Sequence, residues 1–187
     1  MTTLSDNFLL QQLHAGDEAS FALLFQRHYE RVYGLLFRLV GNRAEAEDLT
    51  QEVFLKLYRQ PLLGRPDDNV GGWLYRVATN LGYNAIRDRN RRQERELLLI
   101  ADRPDGAEGP QQATERREAR ERVQRALADL KPRQVQLLLL RQMGFSYADL
   151  ADLCDVAPGS VGKLLQRAAD AFREAYARLG EDYEAGT

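Results

Sequence analysis

The chain has 187 residues, of which 44% are hydrophobic, and its formal net charge is -2 at pH 7. This size accommodates one full domain or two small ones with a real core, and the near-neutral charge argues against a protein that coats nucleic acid non-specifically, because such proteins are usually basic. The single cysteine excludes an internal disulfide and a cysteine-based zinc site, which fits a reducing compartment.

Apolar residues recur at helical spacing along most of the chain, as in Val32, Leu35 and Leu39, and no period-two alternation persists. The sequence therefore predicts an all-α protein. Gly41 is predicted to end one helix, and the proline- and glycine-rich segment 61–72 is predicted to be a loop. The N-terminus lacks the features of a signal peptide and no apolar run could span a membrane, so we expect a soluble, cytoplasmic protein.

Segment 44–58 is predicted to be an amphipathic helix with an acidic start, which suits the helix dipole. Its core stripe is Leu49, Val53 and Leu57. The plain interpretation of the other side is a solvated face, although a mixed acidic surface also suits a basic partner. Neither histidine of the chain belongs to the Glu-x-x-His pairs of helical-bundle metal sites, so we expect no metal, no cofactor and no catalysis.

Segment 71–95 combines aromatic residues with six arginines and only two acidic residues. Proteins that bind single-stranded DNA use this combination, because bases stack on aromatic rings while cations hold the phosphate backbone. Leu74, Val77 and Ile86 would form the buried side of the same helix. Trp73 is as well suited to this core as to DNA.

Segment 102–112 has little to bury and too much proline and glycine for a helix. We therefore predict two helical domains joined by a flexible linker: an N-terminal domain over 1–98, the linker over 99–118 and a C-terminal domain over 119–187. The acidic end of the chain, from Glu174 to Thr187, is predicted to be a solvated end, with the alternative that it screens the basic helix until a partner displaces it.

The chain from about Ala126 to Leu179 has the pattern of a helix-turn-helix DNA-binding domain. Ser146 and Asp149 have the spacing of a capping box at the start of a short helix, Tyr147–Cys154, in which Cys154 falls on the apolar side. A three-residue turn then leads to Pro158, which starts the next helix. This order of elements is typical of the helix-turn-helix, whereas the plain alternative is a packed helix pair with a solvated basic face.

The helix that starts at Pro158 opens with small residues, which allow close approach to a phosphate or a groove floor. Lysine, glutamine and arginine side chains on one face of a helix reach base edges and phosphates. The candidate DNA-reading residues of this helix are Ser160, Lys163, Gln166 and Arg167.

Four strings in this order resemble the sigma-70 family, in particular the short extracytoplasmic-function (ECF) class that keeps only the second and fourth conserved regions. They are Arg27-His28-Tyr29 with Val32-Tyr33, then Ala46-Glu47-Asp48-Leu49-Thr50-Gln51-Glu52-Val53-Phe54, then Gly72-Trp73-Leu74-Tyr75-Arg76-Val77-Ala78-Thr79-Asn80, and Leu130-Lys131-Pro132-Arg133 through Arg167-Ala168.

The resemblance implies a sigma factor that binds core RNA polymerase through the beta-prime clamp helices and the beta flap, and that recognises and melts promoter DNA. It also implies an anti-sigma factor as a further partner. The implied polymerase-binding residues are Asp48, Leu49, Gln51, Glu52 and Phe54. The implied minus-ten DNA-binding residues are Trp73, Arg76, Asn80, Tyr83, Arg87, Arg91 and Arg92, with Asn80 at the position that captures a flipped base. The predicted reading helix would bind the minus-thirty-five element.

The chain departs from the family pattern in both DNA-binding segments. Asn84 stands where many relatives have aspartate, and Gly162 and Leu164 stand where lysine and arginine are common. Lys163 is shifted by one residue, which turns a helical side chain by about 100°. Ala157 replaces the usual capping serine.

Two other functions compete with this interpretation. A stand-alone helix-turn-helix regulator would explain the C-terminal domain but would leave the acidic helix and the aromatic, arginine-rich segment without a role. A helical enzyme would need a convergent polar pocket, which the sequence does not indicate.

Overall fold

The computed structural model describes residues 4–59, 69–100 and 111–185. All regular structure in these ranges is helical, which confirms the predicted all-α fold. In chain order the helices are α1 (Asp6–His14), α2 (Glu18–Val40), α3 (Arg43–Arg59), α4 (Val70–Ile100), α5 (Gln111–Ala128), α6 (Pro132–Gln142), α7 (Tyr147–Cys154) and α8 (Val161–Ala185), with a short 3-10 turn (Pro158–Ser160) directly before α8.

The N-terminal half is built around α2, against which α1, α3 and α4 pack. Val32, Leu35 and Leu39 are fully buried on this helix, as their spacing predicts. The helix ends at Gly41, which adopts the left-handed conformation (φ 69°) that glycine tolerates best. The predicted break is therefore confirmed, and it turns the chain so that α3 can return along α2.

The start of α4 differs from the prediction, because the helix begins at Val70 and takes in two glycines assigned to a loop. Asn69 caps this end: its Oδ1 accepts a hydrogen bond from the N–H of Gly72 at 2.7 Å. Glycine lowers helix propensity by about 1 kcal/mol, but the cap and the packing of α7 against α4 outweigh that preference. The rest of the predicted loop, 61–68, lies outside the described residues.

The C-terminal half is built around α8, which packs against α5, α6 and α7. Pro132 is the first residue of α6, where its missing N–H has no intrahelical partner. The helix α8 continues to Ala185, beyond Leu179, where the predicted helix-turn-helix segment ends. Its second half packs against the rest of the domain, because Ala175 is only 1% exposed and Tyr176 stacks on Phe172.

The two halves are in direct contact, since α4 packs against α5, α6 and α7. Their buried apolar side chains form one contiguous cluster, whereas the sequence led us to expect a separate core in each half. The helices α4 and α5 also take in both ends of the predicted linker, 99–100 and 111–118, while 101–110 lies outside the described residues. No described helix combines the length and the apolarity that crossing a lipid bilayer requires.

Candidate nucleic-acid interface

The turn between α7 and α8 is fixed from both sides. Ser146 forms the predicted capping box at the start of α7: its hydroxyl oxygen accepts from the N–H of Asp149 at 3.1 Å, and its own N–H donates to Asp149 Oδ2 at 2.8 Å. The Ser146 hydroxyl also donates to that carboxylate, which lowers the pKa of Asp149 below its ordinary value. At the other end of α7, Asp155 takes the left-handed conformation (φ 51°) that ends the helix.

Arg133 of α6 holds this turn in place, a role that the sequence analysis did not assign to it. Its Nη2 donates to the carbonyl oxygens of Cys154 at 2.8 Å and Asp155 at 2.6 Å. These carbonyls lie at the end of α7, where they have no intrahelical partner and where a cation is favourable. The support helix α6 therefore sets the angle at which α8 leaves the turn.

The start of α8 presents a polar face to solvent. Val161, Leu165 and Ala168 are buried against the rest of the C-terminal half. The opposite side carries the predicted DNA-reading residues, and all of them are exposed: Ser160, Lys163, Gln166 and Arg167. Their exposure is the geometry that entry into a major groove requires.

The two departures in this helix lie beside that face. Leu164 is half-buried and packs against the core. Gly162 is half-buried next to Tyr147, and a Cβ added to it would lie 3.7 Å from the Tyr147 ring. The absence of lysine and arginine at these two positions therefore does not change which cationic residues lie on the exposed face, namely Lys163 and Arg167.

The helix α4 exposes part of its basic surface. Four of the predicted minus-ten residues are exposed: Arg76, Asn80, Arg91 and Arg92. Arg87 is half-buried, with its guanidinium carbon 5.5 Å from the centre of the Tyr83 ring, a cation–π contact. These side chains span most of the helix, as contacts along a single strand would require.

The two aromatic residues of this set differ in how far they are available to stack on bases. Tyr83 is 8% exposed, and its hydroxyl donates to carbonyl oxygens of the C-terminal half. Its predicted role as an exposed stacking residue is therefore wrong for this conformation, because the ring is covered by the other half of the protein. Trp73 is half-buried and lines a cleft of about 670 Å³ between the start of α4 and the end of α7.

The exposed side of α3 is acidic with an apolar element. Asp48, Gln51 and Glu52 are exposed and Leu49 is half-buried, while Leu55 is 43% exposed. Glu52 pairs with Lys56 at 3.4 Å in a solvent-exposed ion pair, which leaves the face acidic overall.

Phe54 does not lie on that surface. It is 2% exposed and its ring centre lies 4.7 Å from that of Phe25 of α2. The prediction that Phe54 contacts a partner is wrong for this conformation, because its position on the helix turns it into the core with Val53 and Leu57. It supports the acidic face from inside.

Arg89 shows that not every arginine of the basic segment is available to DNA. Its Nη1 donates to the Val40 carbonyl oxygen at 3.2 Å and to Gln124 Oε1 at 2.9 Å, and it forms an ion pair with Glu45. Composition alone groups this residue with its exposed neighbours. Only the contact with α5, which is distant in the sequence, identifies it as structural.

The described residues hold no group of three or more metal-ligating side chains that could bind an ion. Cys154 is buried on the apolar side of α7, as predicted. Burial raises the pKa of its thiol to about 11, so the thiolate required of a nucleophile is scarce at neutral pH.

Comparisons with known proteins assign both halves. The family model for sigma-70 region 2 matches residues 24–92, and the model for sigma-70 region 4 matches residues 120–171. The first match covers the acidic α3 and most of the basic α4, and the second covers the helix-turn-helix.

Curated relatives extend the likeness to nearly the whole chain. The RNA polymerase sigma-H factor of Pseudomonas aeruginosa is 31% identical over 184 residues, which cover 94% of this chain and 95% of the relative. The ECF RNA polymerase sigma-E factor of Haemophilus influenzae is 30% identical over 176 residues, which cover 89% and 93% of the two chains. Among solved structures, CnrH in complex with the cytosolic domain of CnrY shares the fold, with a TM-score of 0.57, 20% identity and coverage of 95% of this chain and 98% of that one.

Proposed function

Since this chain belongs to the ECF class of the sigma-70 family and is a sigma factor for transcription initiation, we propose that three of its surfaces divide the work of initiation. The acidic face of α3 binds core RNA polymerase, the basic surface of α4 binds the melted minus-ten element, and α8 reads the minus-thirty-five element. The observation that carries the proposal is that the matched regions present an acidic face, a basic face and an exposed reading face on separate helices.

The polymerase contact is assigned to the beta-prime clamp helices. Asp48, Gln51 and Glu52 supply exposed acidic and polar groups, and Leu49 with Leu55 supplies apolar area next to them. A charged rim around an apolar centre is the usual composition of a specific protein interface. The C-terminal domain makes the second polymerase contact, with the beta flap.

The minus-ten contact is assigned to α4. Asn80 receives a flipped base, and Arg76, Arg91 and Arg92 neutralise the phosphates of the displaced strand. All four are exposed, which supports this assignment. Arg87, Trp73 and Tyr83 complete the proposed set, and of these Tyr83 is bonded to the C-terminal half in this structure.

The minus-thirty-five contact is assigned to the start of α8. Ser160 lies at the turn before the helix, where free backbone N–H groups favour a phosphate. Lys163, Gln166 and Arg167 follow on the exposed face and reach base edges and phosphates in the major groove.

A stand-alone helix-turn-helix regulator is not favoured, because it would leave the region 2 match over residues 24–92 without a role. We further propose that the protein has no catalytic activity of its own and that it works in the cytoplasm, where polymerase and promoter are found. An anti-sigma factor restrains it until its signal arrives. The N-terminal domain ends at residue 98 and the C-terminal domain begins at residue 119 in this proposal.

The experiment is run-off transcription from a promoter library with purified core polymerase and the full chain. We expect initiation at a defined promoter set that requires both components. Asn80→Ala should lower open-complex formation about tenfold, since a lost base contact removes about 1–3 kcal/mol, while binding to core polymerase changes less than about twofold.

Asn90→Ala, on the same helix, is the matched control and should leave open-complex formation near the wild-type level. Absence of polymerase-dependent initiation would overturn the proposed division of work among the three surfaces. Loss of core binding in Asn80→Ala, with normal melting by the residual complex, would overturn the role of Asn80.

A further inference from the structure

Gly162 leaves a bare turn at the edge of the reading face of α8. It lies four residues before Gln166, so the two positions are on the same side of the helix, one turn apart. Gln166 is exposed and offers its amide to a base edge, whereas position 162 has no side chain to offer. A base pair opposite this turn therefore meets the residue that lies beside Gly162.

The residue beside Gly162 is Tyr147. A Cβ added to Gly162 would lie 3.7 Å from Tyr147 Cε2, an ordinary van der Waals separation. Tyr147 is 51% exposed, the largest exposed fraction among the exposed large apolar side chains of the described ranges. An exposed aromatic ring thus borders the first turn of α8 at the point where the helix itself carries no side chain.

Arg141 holds the ring in this place. Its guanidinium carbon lies 5.4 Å from the centre of the Tyr147 ring, a cation–π contact, and its Nη1 donates to the carbonyl oxygen of Phe145 at 3.0 Å. The capping box of Ser146 fixes the backbone directly before the ring. Because the ring and the guanidinium are positioned before DNA is bound, less conformational freedom is lost on binding.

The place of Tyr147 in the motif brings its ring to DNA. Tyr147 is the first residue of α7, and in a helix-turn-helix the first helix crosses the DNA backbone while the start of the second helix enters the major groove. A ring at the start of α7 that also borders the first turn of α8 lies where backbone and groove meet. Arg141, which is exposed beside it, supplies a cation for a phosphate.

A ring in the major groove favours one base over the others. Thymine presents its C5 methyl group there, which makes apolar contacts, whereas guanine and adenine are read through hydrogen bonds to arginine, lysine, asparagine or glutamine. Position 162 has no hydrogen-bonding side chain and has a ring carbon beside it. Contact with a methyl group is therefore the most favourable contact that this turn makes with a base edge.

We propose that Tyr147 and Gly162 together read one base pair of the minus-thirty-five element: the ring lies beside the bare turn of α8 and selects thymine through its C5 methyl group, while Arg141 binds the neighbouring phosphate. The inference rests on the proposed role of α8 in reading this element. It adds a base preference that the exposed set on α8 does not supply.

The first test identifies the base pair. Core polymerase with the full chain, the holoenzyme, selects duplexes from a pool in which the minus-thirty-five region is randomised. We expect the wild type to select thymine at one base pair, and Tyr147→Ala to lose the preference there while it keeps the others. Gly162→Arg should change the preference at the same base pair to guanine by at least about fivefold, because arginine makes a bidentate contact with guanine.

The second test removes the methyl group alone. At the base pair so identified, deoxyuridine replaces thymidine in an otherwise identical duplex, so that pairing with adenine is kept. The wild-type holoenzyme should bind the deoxyuridine duplex about threefold to fourfold more weakly, the effect of one buried methyl group. Tyr147→Phe keeps the ring and should show the same ratio, whereas Tyr147→Ala should bind both duplexes equally.

Tyr58→Ala is the matched control, because Tyr58 is an exposed tyrosine of α3, at 45% exposure. It should change neither the selected sequence nor the ratio between the two duplexes. Deoxyuridine at a thymine elsewhere in the same duplex is the control for the base, and its effect should be the same in the wild type and in Tyr147→Ala.

Equal binding of the thymidine and deoxyuridine duplexes by the wild type would overturn the inference, and this result does not depend on the folding of any variant. A ratio that survives in Tyr147→Ala would overturn it as well. If Tyr147→Phe lost affinity equally for all sequences and the ratio were absent, Tyr147 would be a phosphate contact through its hydroxyl and the base preference would be wrong. A wild-type holoenzyme that selects no sequence in this region would instead overturn the proposed role of α8.

Discussion

The helices α4 and α8 both begin with small residues and carry cationic side chains behind them, yet they lie in different surroundings. The start of α8 packs against helices of its own domain, and its polar face at Lys163 and Arg167 is exposed. In contrast, α4 packs against helices of both domains. Its residues Tyr83 and Arg89 form hydrogen bonds with residues of the C-terminal domain. The proposed DNA-binding face of α8 is thus set by local helix geometry, whereas that proposed for α4 depends on the arrangement of the whole chain.

The largest effect expected comes from the cores beneath the two helices. Leu74→Ala in α4 and Leu165→Ala in α8 each remove a buried leucine and should lower the free energy of unfolding by about 2–5 kcal/mol, because the cavity adds to the lost transfer free energy. Leu74 is fully buried and Leu165 nearly so, so Leu74→Ala should have the larger effect.

Denaturant unfolding followed by circular dichroism and by Trp73 emission measures this effect and tests the coupling. Since the buried side chains form one cluster, Leu165→Ala should lower the midpoint of the Trp73 transition although Trp73 lies in the other domain. A Trp73 transition that stays at the wild-type midpoint in Leu165→Ala would show that the domains unfold independently.

A smaller effect is expected from matched arginine substitutions in the two helices. Arg89→Ala removes hydrogen bonds to Val40 and Gln124 and an ion pair with Glu45, and should cost about 2 kcal/mol of stability because charged donors to partly buried acceptors are strong. Arg173 of α8 forms an exposed pair with Asp170 at 2.7 Å, so Arg173→Ala should cost less than about 0.5 kcal/mol. If both variants lost the same free energy of unfolding in urea, the arginines of α4 and α8 would not differ in their structural role.

The same distinction explains how far the sequence could predict the fold and the site. The capping box at Ser146, the break at Gly41 and the exposed set on α8 follow from spacing over a few residues, and each was predictable. The burial of Tyr83 follows from acceptors that lie 45 and 47 residues further along the chain. Residue type and helical period carry no information about such partners.

The features that could not be predicted from the sequence have the same origin. An arginine in a basic run is indistinguishable by composition from its neighbours, although Arg89 is structural and Arg91 is exposed. Phe54 lies in a matching string next to exposed residues, but the turn of the helix directs it into the core. Conversely, Gly72 was assigned to a loop, because the neighbouring sequence does not reveal that the Leu153 backbone packs closely against it.

The smallest effect expected concerns the caps with which the two helices begin. Asn69 caps α4 through its side chain, whereas Ala157, before the turn that leads into α8, makes no side-chain cap bond. Ala157→Ser would supply an oxygen to the first N–H groups of that turn. The N–H of Ser160 already bonds to the Ala157 carbonyl oxygen at 2.8 Å, so the gain should be at the low end of capping energies, about 0.5 kcal/mol.

Thermal and denaturant unfolding of Ala157→Ser should show this gain, and Ser146→Ala should lose about 1 kcal/mol in the same assay, because there the cap bond exists. Ala157 has an extended backbone (φ -60°, ψ 133°), which a capping serine adopts without strain. Since position 157 precedes the exposed face at Lys163, duplex binding should change less than about twofold. A loss of stability in Ala157→Ser would mean that the start of α8 depends on its surroundings as strongly as α4 does.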